Sequence, residues 1–196
     1  MRGGACNHAS PRGDDTAMSH NLFFALWPDD DVRERIAATA QRLKQTHAPR
    51  GRWVKPHRYH LTLRYLGEHS TLPPPLLRSC HAAGDGVRAP SFSFALDAAG
   101  SFANRKIPWW LGCQAMPDAL DALWESLSRG LEGNGVANGE PAQRIAHVTI
   151  LRDADRRLAP ERIEPIEWPV RELVLVDSLL GAASGYTILQ HWRLDA

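Results

Sequence analysis

Two short phrases recur in the chain, His60-Leu61-Thr62-Leu63 and His147-Val148-Thr149-Ile150, each a histidine, an apolar residue, a threonine and a second apolar residue. Imidazole titrates near pH 6.5, so at neutral pH one ring can be neutral while another carries a proton. Two rings facing one cleft therefore supply a general base and a general acid together, which is the equipment for opening or closing a phosphate ester without a metal. A threonine two residues along an extended strand shares the histidine's face, about 6.6–7 Å away. Its hydroxyl can donate to a non-bridging phosphate oxygen, where negative charge builds up in the transition state.

Chance alone accounts for little of this. Nine histidines and seven threonines in 196 residues predict roughly 0.3 accidental His-x-Thr matches, and three occur. The third, His69-Ser70-Thr71-Leu72, runs into Pro73-Pro74-Pro75 and reads as a loop with a helix start behind it, so it is taken as the accidental one. Either remaining motif alone would be read as a surface histidine beside a strand-forming threonine. The pair, in matching strand context, points to a site. His57 and His60 invite a metal reading, but in an extended segment residues three apart face opposite sides, and no carboxylates stand nearby at matching spacing. No metal and no cofactor is expected.

Positioning these groups requires strands, and the hydrophobic pattern supplies them. Asn21 to Trp27 is a short apolar run ended by Pro28. Asp29-Asp30-Asp31 then suits a helix start, with Val32, Ile36, Ala40 and Leu43 at helical spacing. Arg52 to Val54 and Tyr59 to Leu66 read as extended, and alternation in the second places His60, Thr62 and Arg64 on one face. A helix over about Leu76 to Ala83, a strand over Ser91 to Leu96, a loop over Gly100 to Lys106 and a strand over Trp109 to Cys113 follow. Leu120, Leu123, Trp124, Leu127 and Leu131 trace an amphipathic helix, and Gly133 to Gly139 a flexible connection. Ile145 to Leu151 alternates again, with His147 and Thr149 on one face, and Val170 to Leu180 and Tyr186 to Leu194 are strands around a Gly181 to Gly185 turn. Antiparallel strands with outer helices make an α+β fold. The two histidines are 87 residues apart, close to half the chain, so two similar lobes meeting along a groove are expected.

Composition bounds the rest. The first 20 residues lack periodicity and are expected to be a disordered tail, leaving residues 21–196 as a single bilobal domain. Twenty-three basic against 22 acidic side chains exclude a general nucleic-acid coat, so any phosphate recognition is local. Three scattered cysteines suggest neither a disulfide framework nor a zinc cage, and no apolar run or signal segment is present; a cytoplasmic monomer away from membranes is expected. Arg52, Lys55, His57 and Arg58 could line an entrance that attracts polyanions, with a solvated basic loop as the alternative for most of them. Arg64 could contact phosphate or form a structural ion pair. Trp53, Trp109 and Trp110 could stack bases, with core packing the alternative for at least two.

These residues carry a resemblance. Leu22-Phe23-Phe24-Ala25-Leu26 with Pro28, Arg52-Trp53-Val54, His60-Leu61-Thr62-Leu63-Arg64-Tyr65-Leu66-Gly67, Trp110-Leu111-Gly112, and His147-Val148-Thr149 with Arg152 resemble the 2H phosphoesterase superfamily. Within it they are most similar to the RNA 2′,3′-cyclic phosphodiesterases, also called 2′-5′ RNA ligases. The likeness runs from about Asn21 to Leu194. Two positions depart from the family pattern: Ala146 stands where a proline usually precedes the second histidine, and Ile150-Leu151-Arg152 replaces Leu-Ala-Arg. The resemblance implies a bilobal α+β fold with two pseudo-symmetric antiparallel-sheet lobes, outer helices and a central cleft. It also implies metal-independent opening of a 2′,3′-cyclic phosphate at RNA ends or on nucleotides to a 2′-phosphate, with reversible 2′-5′ joining in some members. His60 would protonate the departing 3′ oxygen and His147 would activate water, or the reverse; Thr62 and Thr149 would hold phosphate oxygens, with Arg64 and Arg152 as further binding candidates. The rival readings are an RNA-end binding module with little turnover, or a 2H enzyme acting on another small cyclic phosphate.

Overall fold

Strand alternation assigns two faces from the start of the fold. In β1 (Ser19–Leu26), Leu22, Phe24 and Leu26 are fully buried in a large core, while Phe23 and Ala25 point the opposite way. The computed structural model describes residues 18–136, 144–180 and 185–195. The expected tail therefore lies almost wholly outside the described residues. Ser19 and His20, however, belong to β1, and the His20 Nδ1 lies 2.8 Å from an Asp177 carboxylate oxygen. Part of the glycine-rich connection before the second motif (137–143) and of the last turn (181–184) also lies outside the described residues.

Helix α1 (Asp30–His47) starts where the acidic cluster predicts: the Asp29 side chain accepts from the Val32 N–H, and two further carboxylates stand in the first turn against the helix dipole. Its buried stripe is Val32, Ile36, Thr39, Ala40 and Leu43. Then follow β2 (Arg52–Trp53), a short 3-10 turn at Pro56–Arg58, β3 (Leu61–His69), α2 (Pro74–Asp85), β4 (Phe92–Ser101) and β5 (Ile107–Gly112). Helix α3 (Asp118–Gly133), β6 (His147–Ala154), β7 (Glu161–Val170), β8 (Glu172–Leu180) and β9 (Gly185–Arg193) complete the order.

Strand β7 has no counterpart among the sequence expectations. Pro165 and Pro169 argue against a strand, yet β7 is an edge, where a proline costs no ladder bond and charged residues discourage further pairing. β4 likewise runs past Leu96 to Ser101, across a register shift between Leu96 and Ala98.

Among the described residues the named strands all pair antiparallel, in the order β7-β4-β5-β6-β3-β1-β8-β9, with β2 on β6, and an isolated parallel bridge joins Pro90 to Asp195. The path reads as two four-stranded halves that meet at β6 and β3 through a single bridge, Leu61 to Val148. About that seam β3 matches β6, β1 matches β5, β8 matches β4 and β9 matches β7. A helix joins each inner pair, α1 between β1 and β3 and α3 between β5 and β6. Each helix reaches the opposite half. Arg35 on α1 donates to the Pro165 carbonyl of β7, and the His47 ring meets Trp109 of β5 edge-on. Trp124 on α3 donates to the Leu63 carbonyl of β3. The α+β fold is thus two pseudo-symmetric antiparallel halves held together by exchanged helices. One sheet face carries the helices and the main core, and the other is left open for a cleft.

Candidate active site

Leu61 and Val148, the pair that bridges the seam, are both fully buried toward the helices. Alternation then puts His60, Thr62, His147 and Thr149 on the open face. Carrying the register one residue either way sets His60 beside Thr149 and Thr62 beside His147. The four groups form a diagonal clamp over the seam.

Both rings are held in the same way. His60 Nδ1 lies 2.8 Å from the Arg58 carbonyl, and His147 Nδ1 lies 2.7 Å from the Ile145 carbonyl. A carbonyl only accepts, so each Nδ1 carries the hydrogen, and each neutral ring presents an unprotonated Nε2. Burial lowers both pKa values. His60 falls to about 4 through desolvation, against the raising effect of its carbonyl bond, with Arg152 and His147 lowering it further. His147 is also lowered, by desolvation first and then by Arg152. At rest both rings are neutral at pH 7, and an arriving phosphate anion favours recharging one of them.

The desolvating groups differ between the copies. His60 stacks on Trp27 (5.7 Å, 9° between planes) and on Phe23 (4.9 Å, 27°), and Tyr186 meets it edge-on. His147 meets Phe102 edge-on at 4.9 Å and 88°. Trp27 was recoverable from the sequence, because it continues the Phe23, Ala25 alternation on the cleft face of β1.

A β-bulge follows each motif. On β3, Ala25 pairs with Thr62 and Phe24 with Arg64, leaving Leu63 as the extra residue. On β6, Trp110 pairs with Thr149 and Trp109 with Leu151, leaving Ile150 as the extra residue. Each bulge reverses the parity of the strand beyond it. The expectation for Arg64 therefore does not hold: it lies opposite the core residue Phe24, 6% exposed, on the helix side and outside the cleft lining. Its place on the open face is taken by Tyr65, opposite Phe23, and in the other copy by Arg152. No residue pattern announces a bulge, which is why simple alternation chose the wrong side.

His60, Thr62, Tyr65 and Arg152 line a cleft of about 750 Å³, joined by Arg52, Lys55, His57 and Arg58 from β2 and the 3-10 turn. His147 and Thr149 are not among its lining residues; the register sets them opposite Thr62 and His60 across the seam. Arg52 and Arg152 lie directly opposite each other on β2 and β6, and Asp153 meets the Arg52 guanidinium at 2.9 Å. Of the three tryptophans, Trp53 lines the cleft, Trp109 is fully buried, and Trp110 faces the open side opposite Thr149. The Trp110 ring fills the space that a Cβ at Gly100 would need, 2.7 Å away. His69 lies outside the cleft lining, its Nε2 3.1 Å from the Leu66 carbonyl. Among the described residues, no group of three His, Cys, Asp or Glu side chains is arranged to hold a metal ion, and no helix is long and apolar enough to cross a membrane.

A family model described as LigT like Phosphoesterase matches residues 26–110. The RNA 2′,3′-cyclic phosphodiesterase of Escherichia coli is 30% identical over 178 residues, covering 88% of this chain and 96% of that protein. The chain belongs to the LigT-like phosphoesterase family. A second family relative, the RNA 2′,3′-cyclic phosphodiesterase of Thermus thermophilus, is 30% identical over 190 residues, covering 88% of this chain and 89% of its own. Among solved structures of the family, apo LigT of E. coli superposes with a TM-score of 0.73 at 29% identity, covering 91% of this chain and 99% of that one. LigT of E. coli complexed with 3′-AMP gives 0.69 at 29% identity, over 90% and 98% of the two chains. Family membership gives phosphoester chemistry to this enzyme, and the clamp is where the residues suited to it converge.

Proposed function

We propose that the chain opens 2′,3′-cyclic phosphates at RNA ends or on nucleotides to 2′-phosphates, with His60 and His147 as the acid–base pair. The observation that supports this most directly is the matched anchoring of the rings, which leaves two free Nε2 atoms on one face of a one-bridge seam. His147 takes a proton from water as the water oxygen bonds to phosphorus. His60, which takes up a proton at Nε2 as the phosphate anion binds, gives that proton to the 3′ oxygen as its bond to phosphorus breaks. Thr62 and Thr149 donate to the non-bridging oxygens as charge accumulates there. Arg152 adds a charge-assisted contact to the same group. A ribose 5′-hydroxyl in place of water would leave a 2′-5′ linkage by the same proton transfers.

The test is incubation of the enzyme with adenosine 2′,3′-cyclic phosphate in excess EDTA, with the product isomer identified. The expected product is the 2′-phosphate at an undiminished rate. Formation of the 3′-phosphate, loss of rate on chelation, or binding without turnover would each overturn the reading.

A further inference from the structure

Each half carries a second irregularity further along its motif strand, and the two are filled differently. On β3, Leu66 and Gly67 together face Leu22 alone, and Gly67 has φ 105°. On β6, Arg152 and Asp153 together face Pro108 alone, and Asp153 has φ 55°. Glycine is the ordinary occupant of such a position, because a side chain there crowds its own backbone. Among the described residues only Ala48 and Asp153 have positive φ without being glycine, and Ala48 closes α1. The turn at Asp153 changes which way the strand points. Leu151 and Ala154, three apart, both lie in the main core, and Arg152 and Asp153 between them are both exposed. Regular alternation would have sent the carboxylate to the core side with Leu151.

Turned outward, the Asp153 carboxylate meets the Arg52 guanidinium of β2 at 2.9 Å. Arg152 lies directly opposite Arg52, and β2 runs so close there that a Cβ at Gly51 would stand 2.9 Å from the Arg152 carbonyl oxygen. The two guanidinia thus leave facing backbone positions, and one carboxylate draws Arg52 to itself. The paired side chains are 73% and 42% exposed, so the ion pair adds little to stability. The fold asks only for a positive φ at this point, which glycine meets in the other half; the carboxylate is an addition. We propose that Asp153 is a positioning residue: its left-handed turn aims Arg152 at the clamp, and its carboxylate keeps Arg52 from crowding that guanidinium. The charge of Arg152 is felt at both His60 and His147, as a guanidinium aimed over the seam requires. This assignment rests on Arg152 serving the phosphate in the reading above and adds what directs it.

The test measures Kd for inorganic phosphate by calorimetry, beside kcat and KM for adenosine 2′,3′-cyclic phosphate. Asp153→Val opposes the turn and removes the carboxylate. It should raise Kd and KM about tenfold, as far as Arg152→Met does, with kcat within about twofold. Asp153→Gly keeps the turn and loses only the ion pair, so both constants should rise by no more than about threefold. Asp153→Asn should match it, since asparagine tolerates the turn. Arg152→Met combined with Asp153→Val should bind no more weakly than Arg152→Met alone, because both act through one contact. A double variant weakened by the product of the single losses, about a hundredfold, would overturn the proposal, since Asp153 would then act independently of Arg152. So would unchanged affinity in Asp153→Val, or an Asp153→Gly variant as weak as Asp153→Val. Should Asp153→Val not fold, Asp153→Ala replaces it and should bind about threefold more weakly than Asp153→Gly; equal binding overturns the proposal. If phosphate binding follows this pattern while no cyclic phosphate is opened, the activity reading has failed and the positioning role stands.

Discussion

The two copies of the motif agree at the histidine and the threonine and differ past them. In both, the ring is tied through Nδ1 to the carbonyl two residues before it, the threonine follows on the same face, and a bulge comes next. Past the bulge the copies part: Arg64 and Tyr65 stand in one where Leu151 and Arg152 stand in the other. One half offers the cleft an exposed aromatic ring and buries its arginine; the other buries a leucine and offers the arginine. An acid and a base can be near mirror images because each handles one proton on one side of phosphorus. A ribose cyclic phosphate has no such symmetry, and on the proposed reading the halves differ where they would meet it.

The largest expected effect tests the shared part. His60→Ala and His147→Ala should each lower kcat/KM by about 10²–10⁴, and the double variant should fall little further, because both groups serve one step. A cyclic substrate with sulfur in place of the 3′ oxygen has a leaving group that needs no proton. It should restore much of the rate to His60→Ala and little to His147→Ala. Rescue of His147→Ala instead would exchange the roles of acid and base. Thr62→Val and Thr149→Val should come next, at about 10² each, measured as kcat with KM nearly unchanged. A tenfold disparity between the two would show that the clamp is not symmetric at phosphorus.

The arginines sharpen the contrast further. Arg152→Met should raise KM about tenfold with the melting temperature unchanged, as expected for a lost charge-assisted contact. Arg64→Met should do the reverse, lowering the melting temperature by several degrees while the folded fraction keeps its kcat/KM within about threefold. A catalytic defect in Arg64→Met without loss of stability would return that residue to the site.

Much of this was legible in the chain because period-2 alternation survives wherever a strand is regular. His60 with Thr62, and His147 with Thr149, were placed on one face by spacing alone, and α1 by its acidic start and its stripe from Val32 to Leu43. Arg64 was misplaced because a bulge is a property of the pair of strands, set by how β3 lies on β1, and leaves no mark in β3 itself. Strand β7 was missed for a related reason: Pro165 and Pro169 forbid an interior strand, but only the finished sheet makes β7 an edge. The exchange of α1 and α3 between halves is a matter of chain path that local patterning does not encode.

The smallest effects lie in the pH dependence, and they separate the copies most cleanly. Burial lowers both histidines, His60 to about 4 and His147 below its ordinary 6.5. Catalysis needs one ring charged and one neutral, so kcat/KM should be bell-shaped, with its optimum on the acid side of 6.5 and a decline through neutral pH. The shape is the same whichever ring is the acid. Bound phosphate favours the charged rings, so the descending limb of kcat should lie at higher pH than that of kcat/KM. Trp27 covers His60, and Phe102 meets His147. Trp27→Leu admits water to the first ring and should raise the acid limb; Phe102→Leu should raise the alkaline limb, each by less than about one unit. Should both substitutions move the same limb, the two rings titrate as one coupled pair, and the separate environments of the two halves would not be what sets their proton affinities.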